Sequence, residues 1–160
     1  MLALDQSIFY LINKGCSNRF FDIIMPVINE LGDWKTLLIL AAALLFFRKK
    51  EARIMGIYII AGLFLSTLIV YILKIWIARP RPIGAKELSF SFPSRHAANI
   101  FMTVTLLYGY SKKFFYLYFA ALGVLFSRVY VGAHFPTDVI AGAFIGIFIG
   151  YCITRVSMFI

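Results

Sequence analysis

The sequence predicts an all-α, polytopic transmembrane bundle of about five to six membrane helices, with interfacial amphipathic helices in its N-terminal region. Three observations carry that prediction. The chain is 62% hydrophobic and only 14% charged, about half the charge of a soluble domain. Its mean hydropathy is +0.88 over 160 residues, more apolar surface than a soluble fold of this size can bury. Its apolar residues fall into runs separated by short basic clusters. The length suits one domain, residues 1–160, read as an interfacial or partly inserted region 1–31 and a bundle 32–160.

The elements follow in chain order. Leu4, Ile8, Phe9, Leu11 and Ile12 alternate with Asp5, Gln6, Asn13 and Lys14 at helical spacing until Gly15 breaks the pattern. Residues 20–31 are apolar but interrupted by Asp22, Pro26, Asn29 and Glu30. Neither stretch is expected to cross about 30 Å of hydrocarbon. The opening residues lack a basic segment and a clean apolar core, so no cleavable signal is expected. Five apolar spans come next, at 31–47, 54–77, 97–110, 114–130 and 139–153. The last contains Gly142, Gly146 and Gly150, a flat face for close helix contact within the bundle or across a homodimer. Cys16 and Cys152 have no metal-ligand spacing and read as small apolar fillers.

Alternation of the spans assigns the loops to two sides. Arg48, Lys49, Lys50, Arg53, Lys112, Lys113 and Arg155 fall on one side with a single acid, Glu51. The positive-inside rule makes that side cytoplasmic. The other side holds nine basic residues and six acids, and the assignment requires that several of its cations have a site role instead. Trp34 and Trp76 then sit near the outer interface. The expected location is the cell inner (cytoplasmic) membrane, with the functional face toward the periplasm or exterior. The net charge of +9 is spread between apolar spans, which argues against nucleic acid as a partner and for the bilayer and an anionic membrane ligand.

Three clusters stand on that outer side: residues 74–82 (K-I-W-I-A-R-P-R-P), 92–96 (F-P-S-R-H) and 127–138 (S-R-V-Y-V-G-A-H-F-P-T-D). They gather both histidines, His96 and His134, with Lys74, Arg81, Arg95 and Arg128. Taken singly, Lys74 and Arg81 also fit snorkelling cations, His96 a helix cap, and His134 with Asp138 a structural hydrogen bond. Together they suggest phosphoryl transfer. Lys74, Arg81 and Arg128 would neutralise phosphate oxygens, and Ser94 at a helix start would add donors. The sequence shows no carboxylate cluster for a divalent metal and no third histidine, so neither a metal nor another cofactor is expected. A protein nucleophile is then needed. His134, four residues from Asp138 and on one helical face with it, suits the role, leaving His96 as the acid.

The pattern K-x6-R-P, P-S-x-H, S-R-x5-H-x3-D resembles the three-part signature of the type 2 phosphatidic acid phosphatase superfamily. The resemblance implies a helical membrane bundle that hydrolyses a lipid phosphate without metal. It implies a phosphohistidine on His134, His96 as acid and Asp138 as orienting carboxylate, with Lys74, Arg81, Ser94 and Arg128 at phosphate-binding positions. Arg95 stands where the family usually has glycine; it would contact a second anionic group or face solvent. Among small bacterial members of such a family, the expected substrates are phosphatidylglycerol phosphate, a lipid A 1-phosphate or undecaprenyl diphosphate. A lipid phosphotransferase and a non-catalytic anionic-lipid binding or transport protein are the competing readings.

Overall fold

The computed structural model describes residues 2–85 and 88–157, and among them there is no β-strand. Seven α-helices follow one another: α1 (Leu2–Tyr10), α2 (Arg19–Glu30), α3 (Trp34–Leu45), α4 (Lys50–Ile77), α5 (Arg95–Tyr110), α6 (Leu117–Tyr130) and α7 (Pro136–Ser157). A π-helical turn, Leu11–Gly15, follows α1, and a 3-10 turn, Lys112–Tyr116, precedes α6. Helices α3 to α7 coincide with the five apolar spans. Two segments, Lys50–Ile77 and Pro136–Val156, are long and apolar enough to cross a membrane, and Trp34–Leu45 is a shorter apolar helix.

Local chemistry fixes the helix ends. Asn18 caps α2 by accepting from Phe21 N–H at 3.0 Å, and Asp33 caps α3 by accepting from Lys35 N–H at 2.9 Å. Helix α4 stops at Ala78, whose φ of 48° is left-handed and whose N–H returns to Lys74 O. Pro80 and Pro82 then forbid further helix. A left-handed alanine costs about 1–2 kcal/mol; the turn it makes aims Arg79 back into the bundle.

Helix α5 is the axis of the bundle, buried continuously from His96 to Leu106. Its tightest neighbour is α7. A Cβ at Gly146 would lie 2.2 Å from Ala98 O, and one at Gly142 would lie 2.4 Å from Ser94 O. The glycine face is therefore spent on α5 inside the chain, not on a second copy. This close approach lets Ser94 N–H donate to Asp138 O at 2.9 Å, tying the starts of α5 and α7 together. Ile59, Met102 and Val124 fill the core between α4, α5 and α6. Outward side chains such as Ile57, Phe64, Ile72, Phe144 and Phe148 are exposed and apolar, the surface a bilayer would cover.

The N-terminal region is more than a collar. Asn13 Nδ2 donates to Tyr130 O at 2.6 Å, and Tyr130 O–H donates to Asp22 at 2.6 Å. Asp5 of α1 is buried and accepts from Thr137 N–H at 3.0 Å, at the start of α7.

Candidate active site

The site forms where α4, α5, α6 and α7 end on one side of the bundle. Its centre is built by two consecutive helix boundaries. Helix α6 ends when the N–H groups of Ala133 and His134 turn back to Arg128 O, with Gly132 in the left-handed region at φ 78°. Helix α7 begins with Pro136 at its first position, where the missing N–H costs nothing. Asp138, two residues later, reaches back to accept from Phe135 N–H at 2.9 Å, a capping-box geometry. His134 therefore lies just before α7. The sequence expectation that it shares a helical face with Asp138 does not hold; the cap brings them together.

His134 Nδ1 lies 3.6 Å from Asp138 Oδ2, longer than a normal hydrogen bond. Ser91 Oγ stands beside both, donating to Asp138 Oδ2 at 2.5 Å and lying 3.4 Å from His134 Nδ1. Arg79 Nη1 donates to Asp138 Oδ1 at 2.6 Å, and its Nη2 donates to Asp5 Oδ2 at 2.5 Å. Asp138, fully buried, thus has both oxygens held from four directions. On the other side of the imidazole, Arg81 Nη1 lies 3.2 Å from His134 Nε2. An arginine N–H can only donate, so Nε2 accepts and the ring proton sits on Nδ1, toward Asp138.

His134 Nε2 is thereby left with its lone pair on the cavity side. Burial pushes the His134 pKa down from 6.5 to about 4; Asp138 opposes the shift, and Arg128, Arg81 and Lys74 add to it. The imidazole is neutral at physiological pH, as a nucleophile must be.

Beside it is a cavity of about 130 Å³, walled by Lys74, Arg81, Arg95, His96 and His134. Thr67, Val70 and Tyr71 of α4 form another part of its wall. Lys74 Nζ donates to the carbonyls of Phe90 and Ser91. Arg81 is braced by Ser89 O and Ala133 O, both at 2.7 Å. These carbonyls orient the cations without cancelling their charge. His96 Nε2 lies 3.5 Å from Asp33 Oδ2, at the start of α3.

The structure brings five of the eight sequence-predicted residues to the cavity wall: Lys74, Arg81, Arg95, His96 and His134. Asp138 stands behind His134. Ser94 and Arg128 are buried beside the site but are not among the residues that form the wall. Arg128 Nη1 donates to Asn29 Oδ1 of α2 at 2.8 Å. Ser94 caps α5 through its backbone, and its buried Oγ has no hydrogen-bond partner among the described residues. Sequence reasoning missed Arg79, Ser91, Asp33 and Asp5. Only Arg79 left a signal, because it repeats the Arg-Pro unit of Arg81-Pro82.

Apolar helices here close one end over a neutral imidazole, a buried carboxylate and a wall of cations, an arrangement suited to phosphate chemistry. A family model described as the PAP2 superfamily matches residues 55–159. The solved transmembrane PAP2-type phosphatidylglycerolphosphate phosphatase from Bacillus subtilis is similar over 97% of this chain and 87% of its own, with 29% identity and a TM-score of 0.79. Aquifex aeolicus LpxE matches over 95% of each chain, with 30% identity and a TM-score of 0.80. Undecaprenyl-diphosphatase BcrC of Bacillus subtilis is 31% identical over 152 residues, covering 88% of this chain and 77% of that protein. The chain belongs to the PAP2 superfamily.

Proposed function

We propose that this chain is an integral membrane phosphatase that hydrolyses a lipid phosphate through a phosphohistidine on His134. One observation carries the reading. His134 lines a cavity with Lys74, Arg81 and Arg95, its Nε2 edge against Arg81 and its Nδ1 facing Asp138. Nε2 attacks phosphorus, and the bond from phosphorus to the leaving oxygen breaks. His96 gives that oxygen its proton, with Asp33 orienting the ring. Asp138 stabilises the positive charge that develops on His134, and Ser91 and Arg79 hold Asp138 in place. Water then attacks the phosphohistidine, the P–N bond breaks, and His96 takes the proton of the water. Lys74 and Arg81 hold the equatorial oxygens throughout; Arg128 and Ser94 support that site from behind the wall.

Helices α3 to α7 cross the inner membrane, and the region of α1 and α2 lies at the interface. The site faces the periplasm or exterior, opposite the basic clusters at 48–53 and 112–113. A lipid suits this cavity because exposed Tyr71 of α4 is part of its wall, so a tail can stay in the bilayer while the phosphate reaches His134. The relatives' names point to phosphatidylglycerol phosphate and undecaprenyl diphosphate as substrate classes.

Purified protein in detergent with EDTA should release inorganic phosphate from lipid phosphates, and His134→Ala should abolish release while keeping the helical spectrum. Turnover by His134→Ala would remove the proposed nucleophile. Phosphate appearing on an acceptor lipid instead of in water would make the protein a phosphotransferase.

A further inference from the structure

The structure gives Arg95 an unusual setting. It is the first residue of α5, where the helix dipole is positive and a cation is disfavoured. It shares the cavity wall with two more cations, Lys74 and Arg81. Among the described residues no hydrogen bond or ion pair holds its side chain, and none of the described wall residues is a carboxylate. A half-buried guanidinium so placed is electrostatically costly until an anion enters. A phosphomonoester brings about two negative charges, for which Lys74 and Arg81 already stand ready.

We infer that Arg95 binds the second phosphoryl group of a diphosphate-ended lipid and so selects phosphoanhydride over monoester substrates. The inference rests on the proposed roles of His134 and His96. Arg95 and His96 both line the same cavity, so one ligand bound there can meet the arginine and the acid together. His134 Nε2 attacks the terminal phosphorus, and the bond from that phosphorus to the bridging oxygen breaks. The bridging oxygen stays with the lipid-linked phosphoryl group and receives the proton of His96. Arg95 neutralises the charge that gathers on this leaving phosphate. An alkoxide leaving group carries no second phosphoryl for Arg95 to hold, so the same arginine does little for a monoester.

The test compares one prenyl chain ending in a diphosphate with the same chain ending in a monophosphate, in detergent free of anionic lipid. Wild type, Arg95→Gly, Arg95→Gln and Arg95→Lys are measured on both. The expected result is a fall in kcat/KM on the diphosphate at least tenfold larger than on the monophosphate for Gly and Gln, partly recovered by Lys. Methylenediphosphonate, which cannot be cleaved, should compete with monophosphate hydrolysis in wild type and lose at least tenfold in potency in the Gly and Gln variants. Equal losses on both substrates, or no loss, would overturn the inference. So would an Arg95 effect that appears only when anionic lipid is added back, since that would assign Arg95 to a neighbouring headgroup. Failure of the underlying mechanism reads out separately, as turnover by His134→Ala.

Discussion

Arg81 Nη1 lies 3.2 Å from His134 Nε2, on the ring edge away from Asp138. In the proposed mechanism the arginine occupies the place from which the imidazole reaches phosphorus. Its guanidinium is held there by the carbonyls of Ser89 and Ala133, so a phosphate that enters must draw the fork off Nε2 and onto its own oxygens. In that reading one residue both fixes the imidazole tautomer and clamps the substrate.

Arg81→Lys keeps the charge and loses the planar fork. A point charge cannot both donate to the bracing carbonyls and span two phosphate oxygens. The expected loss in kcat/KM is about 10²-fold or more, with an unchanged helical spectrum. Activity within threefold of wild type would show that Arg81 serves only as a charge.

His134 should titrate far below an ordinary histidine. With two histidines in the chain, a ring-labelled sample and a His96→Ala control assign its carbon–proton resonance, and the midpoint is expected at about 4. A pKa lowered in the folded state means that the unfolded chain binds the proton more readily. The stability that goes with the neutral ring is thus complete above pH 6.5 and is lost as pH falls from there through about 4. The neutral ring that the proposed mechanism needs correspondingly persists well below pH 6. A midpoint near 6.5 would mean that burial does not govern this ring.

Asp33→Asn tests the second imidazole–carboxylate contact, Asp33 Oδ2 to His96 Nε2 at 3.5 Å. Asparagine caps a helix as well as aspartate does, so the start of α3 is preserved. The carboxylate charge beside His96 is lost. An alkyl phosphate, whose leaving oxygen needs a proton, should slow by about tenfold or more. An aryl phosphate with an acidic leaving group should slow far less. Equal slowing on both would make Asp33 a structural residue.

Gly146→Ala places a methyl group 2.2 Å from Ala98 O, against helix backbone that cannot rotate away. Helices α5 and α7 must then separate. The expected cost is about 1–3 kcal/mol or more, read as a lower thermal midpoint in detergent. Activity should fall as well, because separation strains the Ser94 N–H to Asp138 O bond. Gly123→Ala, whose nearest atom would lie at 3.5 Å, should be tolerated.

The helices were legible because their signals are local. Hydropathy runs mark α3 to α7. The motif spacing likewise brought out Lys74, Arg81, His96, His134 and Asp138. The supporting residues were not legible, because each acts on a partner distant in sequence. Asp5 reaches Arg79 across 74 positions, and Ser91 reaches Asp138 across 47. No periodicity records such pairs; they exist only once packing sets which helix ends meet.

The sequence by itself determined a helical, membrane-embedded class and a candidate phosphate-handling residue set, since apolar run length and charge type are properties of short segments. Tertiary structure alone decided the division of labour. It set Asp138 behind His134 through a helix cap, gave His96 its own carboxylate, moved Arg128 off the cavity wall and left Arg95 on it. Those outcomes depend on how closely α5 and α7 approach, and the glycine stripe permits that contact only when the two helices meet face to face.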